Sequence, residues 1–389
     1  MSIALPKIPV SEYPKRWDAV KGFMERENLD IMIFYADDHA THGPVWSRWL
    51  ANFIVHFEPI CILFTKTSDP VLMVGPESLG YANMHSQIKS VRVLQEFMNP
   101  DEDHIHIKTE SLSEIVSGAV KPSSCKRMGI AGADMIPYSL LDSFKKVLPG
   151  EWVSVDRQAN ALRAVKTPSE LDVIRYAYKI AEAGLMTAIK AIQPGVPERH
   201  VAAEAEYVMR KMGAEGYGID TMVSSGENSL PVLGRTTLRE IGKDDLVLLT
   251  FAPRYEGYHA AFGIPVLVGN PPDVAKRAIE AAICAQKKCA SLLRDGQDST
   301  PEGEARKIMD AAGFGEGFHY SGIHSIGVSE FEAPIFGPTS TYTMKENMVL
   351  SIDVPVFDYD WGGIRIEDGY IIGKTGAERL GGFEYYQHK

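Results

Sequence analysis

Cysteine is scarce. The chain has four in 389 residues (Cys61, Cys125, Cys284 and Cys289), with no C-x-x-C pair and no Cys/His spacing of a zinc site. A disulfide-built secreted scaffold is therefore excluded, and the thiols read as reduced and mostly buried. An excess of positive charge is also missing. The formal net charge is -11, which suits neither a phosphate backbone nor an anionic lipid surface, so neither nucleic acid nor membrane is expected as a partner. No apolar run approaches the roughly 20 residues that span a bilayer. The opening MSIALPKIPVSEYPKRWDAV lacks a basic stretch followed by an apolar one, so no export signal is expected and the expected location is cytoplasmic. Internal repeats and low-complexity segments are absent too.

What is present is ordinary globular material, 45% apolar and 23% charged. A chain of 389 residues is long for one core, so two domains are expected. Residues 1–154 alternate between helical and strand patterns. Tyr13–Glu27, Leu112–Val120 and Tyr138–Val147 read as helices, while Ile31–Tyr35, Ile60–Phe64 and Val71–Val74 read as strands. An α/β layer domain follows from that alternation. Residues 155–389 begin with a well-marked helix. Thr167 can cap it, Pro168 suits its first turn, and Glu170 stands where a capping box needs an acid. Pro194-Gly195 ends it, and a second helix runs from Glu198 to Met212. Strand-rich stretches then flank a helical region near residues 271–312.

Five landmarks in this second half stand in a fixed order. Lys166-Thr167-Pro168-Ser169-Glu170-Leu171 fits the pattern K-S/T-x-x-E-I/L, and Gln193-Pro194-Gly195 leads to Glu198 as in K/Q-P-G-x-x-E. Ser225-Gly226-Glu227-Asn228 follows, then Gly322-Ile323-His324-Ser325-Ile326-Gly327 with Glu332-Ala333-Pro334, then Arg365-Ile366-Glu367-Asp368. Together they resemble the creatinase and Xaa-Pro aminopeptidase (prolidase) family. The resemblance implies a C-terminal pita-bread domain behind a smaller α/β domain, an α/β (α+β) chain overall.

In the family's metallopeptidases, two Asp, one His and two Glu hold two divalent ions. Laid onto this chain, the Asp positions fall on Thr250 and Ala261, which carry no carboxylate. His324, Asp353 and Glu367 fill the other three. The family's catalytic His falls on Leu233, and a second His falls on Phe331. An acid that creatinase carries two residues beyond Ala261 falls on Gly263. These losses resemble the metal-free branch of creatinase and ectoine hydrolase, so no cofactor and no metal are expected.

His324, Glu367 and Asp353 are the expected catalytic set. His259 joins them because side chains two apart on a strand share a face, which aims it past Ala261 toward the same site, and its pKa suits proton transfer. Thr250, Arg365 and Glu332 are expected to contact substrate, with a salt bridge between Glu332 and Arg365 as the structural alternative. Trp49, Phe57 and Glu58, in the aromatic segment 46–58, are expected to wall a small-molecule pocket. The resemblance further implies a homodimer in which one chain's N-terminal domain lies near the other's active site. The leading expectation is a metal-independent hydrolase of a C–N bond in a small polar non-peptide metabolite. A lyase, a metal-dependent Xaa-Pro peptidase and a non-catalytic binder are the rivals.

Overall fold

A computed structural model describes residues 5–389. They form two compact units. One holds residues 9–162, and the other holds residues 163–389 with the stretch ending at Ile8. The boundary expected at 154/155 falls at the end of the strand Glu151–Ser154, and the units divide inside the next helix, Asp156–Ala164.

The first unit is a six-stranded mixed sheet in the order Ser90–Val93, Val71–Val74, Ile60–Thr65, Ile31–Ala36, Arg127–Ala131, Glu151–Ser154. Ile31–Ala36 and Ile60–Thr65 are buried at every position. That is why they read as unbroken apolar runs rather than alternating ones. Helices Leu112–Ala119 and Tyr138–Val147 cover one face through Leu112, Ile115, Leu140 and Phe144, packed with Ile31, Ile33 and Tyr35.

The second unit opens with helix Pro168–Ala191. The Thr167 side chain accepts from the Glu170 N–H while Glu170 accepts from the Thr167 N–H at 2.7 Å, so the capping box forms as its sequence requires. Helix Glu198–Lys211 follows. The main body is a nine-stranded sheet, ordered along its path Glu332–Ile335, Ile323–Ser325, Val349–Tyr359, Gly362–Ile372, Phe262–Leu267, Leu246–Phe251, Met222–Ser225. A three-stranded ribbon of Tyr258–His259, Pro253–Tyr255 and Gly216–Tyr217 extends from it.

Period-two alternation sorts the two longest strands. Leu350, Ile352, Val354, Val356, Ile364 and Ile366 pack with Ala278, Ala282 and Ala285 of helix Asp273–Ala290. Their neighbours Ser351, Asp353, Arg365 and Glu367 therefore occupy the opposite face, where the polar site is built. Among the described residues no helix is long and apolar enough to cross a membrane.

Candidate active site

Register assembles the floor of the site. Thr250 pairs with Gly263, Gly263 with Glu367, and Glu367 with Asp353. Directly opposed residues project from one face, so four strands present one row. His324 pairs with Ser351, which lies two residues from Asp353 and on its face. Ligating atoms of His324, Asp353 and Glu367 all lie within 4.8 Å of one another, and all three side chains are buried.

Each group is oriented by a neighbour. His324 Nδ1 lies 3.1 Å from the Ser325 carbonyl, a contact only an N–H can make, which directs Nε2 toward Glu367 Oε1 at 3.5 Å. Ser351 Oγ donates to the same Glu367 oxygen at 2.9 Å. The Tyr320 hydroxyl donates to Asp353 Oδ2 at 2.8 Å, and Arg365 Nε stands 3.3 Å from Asp353 Oδ1. Arg365 also donates to the Tyr320 oxygen from Nη2 at 2.9 Å. Its stem crosses position 263, where a methyl group would come within 2.7 Å of Arg365 Cδ. Gly263 is thus the residue that lets the guanidinium reach Asp353.

Burial and charge oppose each other here. Burial would push His324 down, but its hydrogen bond to Glu367 and the nearby charges of Glu330, Glu367 and Asp353 outweigh it and raise the imidazole to about 9. Burial would push Glu367 up, yet the same hydrogen bond and the Arg365 charge hold it below the usual carboxylate range. Asp353 rises to about 6, because burial and the Glu367 charge exceed the pull of Arg365.

Other expected residues are placed elsewhere. Both Glu332 oxygens are taken, by Arg163 Nη1 at 2.5 Å and Lys166 Nζ at 2.9 Å, so this acid ties the two landmarks at 166 and 332 together and does not pair with Arg365. His259 is buried, with its backbone N–H donating to the Gly327 carbonyl at 2.9 Å and Nδ1 3.2 Å from the same oxygen. That contact attaches it to the loop after His324, outside the cluster itself. Thr250 does stand in the row, and its buried hydroxyl oxygen has no hydrogen bond among the described residues. In the first unit, Trp49 is buried against Trp46 with ring centroids 6.1 Å apart. Glu58 accepts from the Glu77 and Ser78 N–H groups at 3.1 and 2.8 Å. Phe57 alone of the three is exposed, at 66%, with φ of 66°. It lines a cavity of about 640 Å³ with Phe53, Ile54, His56, Glu58 and Tyr81.

Sequence reasoning missed Glu330, Tyr320 and Tyr178. Glu330 is buried, and its charge is felt by His324. The Tyr178 hydroxyl donates to the Ala261 carbonyl at 2.9 Å, fixing the backbone at the second Asp position. Tyr320 stands four residues before His324, an even spacing that on a strand would have marked a shared face. Phe331, at the position of a family His, packs its ring against His324 at a tilt of 36°, with centroids 4.6 Å apart.

One divalent cation fits His324, Asp353 and Glu367. A histidine with two carboxylates is a known ligand set, and the Ser325 carbonyl already fixes the imidazole tautomer. The paired-ion cage does not fit, because Thr250 and Ala261 offer no anionic oxygen.

Residues 172–374 match Metallopeptidase family M24, and residues 16–165 match the Creatinase/Prolidase N-terminal domain. A Xaa-Pro dipeptidase of Pyrococcus furiosus is 32% identical over 255 residues, covering 65% of this chain and 73% of the relative. One from Pyrococcus horikoshii is 32% identical over 257 residues, 66% and 73% of the two chains. The crystal structure of the Pyrococcus horikoshii OT3 prolidase superposes with a TM-score of 0.82 at 27% identity, covering 95% and 99% of the two chains. Two expectations are corrected by these matches. The relatives are Xaa-Pro dipeptidases in a metallopeptidase family, so the metal-free, creatinase-like branch and the non-peptide metabolite do not stand. Loss of two carboxylates removes one ion's share of ligands and leaves three groups able to bind another.

Proposed function

Because this chain belongs to metallopeptidase family M24, with a creatinase/prolidase N-terminal domain before the catalytic one, we propose that it hydrolyses a peptide C–N bond in a small Xaa-Pro-type substrate. The observation that carries the reading is the convergence of His324, Asp353 and Glu367 on one buried face of the sheet. These three would hold one divalent cation. When bound, the cation supplies Lewis-acid polarisation of a carbonyl and a water acidified toward neutrality.

The chain's own residues then have separable tasks. Glu367, kept ionised by His324 and Arg365, accepts a proton or orients the attacking water. Arg365 and Tyr320 hold Asp353 in place from the other side. The Phe331 ring, 49% exposed and tilted against His324, offers an apolar surface at the site to a substrate ring.

The reading includes a homodimer in which the segment around Phe57 of one chain approaches the partner's site. An exposed aromatic held at positive φ supports it, since such strain clusters at binding segments. The test is to supply the purified chain with manganese and a panel of Xaa-Pro dipeptides, following products by mass spectrometry. Release of free proline, abolished by chelator and restored by the ion, is expected. If every peptide stays intact with the ion supplied, the reading is wrong.

A further inference from the structure

Among the described residues, Glu330 is the one acid of the site region for which the structure provides no bonded partner. It sits on the loop between His324 and the strand Glu332–Ile335, only 9% exposed. No hydrogen bond or ion pair satisfies its carboxylate, although every other acid nearby is held. Glu367 has Ser351 and His324, Asp353 has Tyr320 and Arg365, and Glu332 has Arg163 and Lys166. A buried carboxylate without a bonded partner is costly unless a ligand supplies one. Burial pushes it up to about 7, against the pull of His324.

Its position is fixed from two sides. A methyl group at Gly218 would come within 2.6 Å of Glu330 Cβ and 2.7 Å of His259 Cδ2, so Glu330 and His259 flank the same glycine. His259 is two residues before Ala261. Glu330 is also felt by Tyr178, whose hydroxyl is bonded to the Ala261 carbonyl. The carboxylate therefore stands on the side of the site where Ala261, two residues before Gly263, lacks one. Thr250, in the same row, adds the second observation, a hydroxyl oxygen 2% exposed at the residue level and without a hydrogen bond.

We propose that Glu330 and Thr250 form a subsite for a protonated primary amine, the free amino terminus of the substrate. One carboxylate and one hydroxyl match an ammonium, which is a donor of three hydrogen bonds with a single charge. They do not match a second divalent ion, which requires several anionic oxygens. The subsite deepens the peptidase reading and rests on it, since it assigns the group recognised on the substrate. Glu330 is a specificity residue here; it takes no part in bond breaking.

Calorimetry on the manganese-loaded chain separates the two claims. The probes are n-butylammonium, glycyl-proline and N-acetyl-glycyl-proline, each titrated into wild type, E330Q and T250V. Glu330→Gln removes an unpaired buried acid, so its melting temperature should equal or exceed that of wild type. The expected result is that both amines bind E330Q about 10–100-fold more weakly, as loss of a charge-assisted contact implies. T250V should lose a few-fold by the same contact's smaller share, and the acetylated peptide should bind all three proteins alike. For any peptide turned over, E330Q should raise KM and leave kcat within about threefold, the pattern of lost uniform binding. Amine binding that depends on Glu330 without any peptide turnover upholds the subsite and defeats the peptidase reading alone. Equal amine affinity in wild type and E330Q overturns the subsite, as does no amine binding to wild type. A second manganese equivalent that binds wild type but not E330Q also overturns it.

Discussion

Replacing Glu332 by leucine tests whether this acid serves substrate or scaffold. In the structure its two oxygens bind Arg163 and Lys166, and all three side chains are at most 5% exposed. Removing the shared anion deprives two buried cations of it at once. Breaking a buried pair in this way costs about 3–5 kcal/mol. For a unit of this size each kcal/mol moves the melting point by about 2–4 °C, so a fall of roughly 6–20 °C is expected. The pH dependence has a definite sign. Burial would raise the Glu332 carboxyl, but Lys166 and Arg163 hold it below its ordinary value. A carboxyl depressed in the fold stabilises above its unfolded pKa, about 4.3, and that contribution is lost as pH falls through the folded value. Melting curves of wild type and Glu332→Leu from pH 8 down to 3 should therefore stay apart near neutrality and converge only below about pH 4. The rate per folded molecule, measured well below the melting point, should change less than about threefold. A variant that melts like wild type but loses more than about a hundredfold in kcat/KM would refute the scaffold role and return Glu332 to the substrate.

The Glu198 carboxylate, wholly buried, accepts from Ser225 Oγ at 2.7 Å, Thr237 Oγ1 at 2.8 Å and the Asn228 amide at 3.0 Å. Glu198→Ala should lose several kcal/mol, since each orphaned donor costs about 1–3, and soluble protein with an unchanged denaturation midpoint would disprove this. Glu367→Gln should keep its fold and lose on the order of 10²–10⁴ in rate, and wild-type turnover would place the chemistry elsewhere. Elemental analysis after manganese loading should find about one tightly held ion per chain, lost in His324→Ala; two of equal affinity would contradict the ligand count. Phe57→Asp should weaken self-association in sedimentation velocity without altering the melting point, and an unchanged dimer would remove Phe57 from the contact.

Local rules carried the sequence reading furthest. The capping box of Thr167 and Glu170 spans three residues, so its chemistry is visible without a fold. The strands at 31, 60 and 71 are short apolar runs bounded by turns, and they form where expected. Partnerships across long separations were not visible. Glu198 binds Ser225 and Asn228, and Glu332 binds Lys166, so the landmarks at both ends of each pair hold one another. Nothing in a linear pattern says that two motifs 166 residues apart neutralise each other. Glu330 was hidden for a related reason. Strand alternation would place 330 and 332 on one side, but Glu330 lies in the loop before the strand Glu332–Ile335, and the two acids part company. Glu332 meets the cations of its own scaffold, while Glu330 is felt by the cluster.

Charge balance accounts for this division of labour. A cage of four carboxylates and a neutral histidine compensates two divalent ions. Substitution by Thr250 and Ala261 removes two of those negative charges, which is one ion's complement. Asp353 and Glu367 then balance one ion on the face they share with His324. Arg365, folded over Gly263, brings an extra positive charge against Asp353. Glu330 feels Arg365 without touching it, so its oxygens stay open to a ligand. If a substrate ammonium binds there, the site gains one positive charge, half of what a second divalent ion would contribute. One ion and one amine, three positive charges, would thus match the three carboxylates of Asp353, Glu367 and Glu330. The same balance predicts that restoring carboxylates at 250 and 261 together should recruit a second ion and weaken amine binding, because Glu330 would then face a metal with its own ligands.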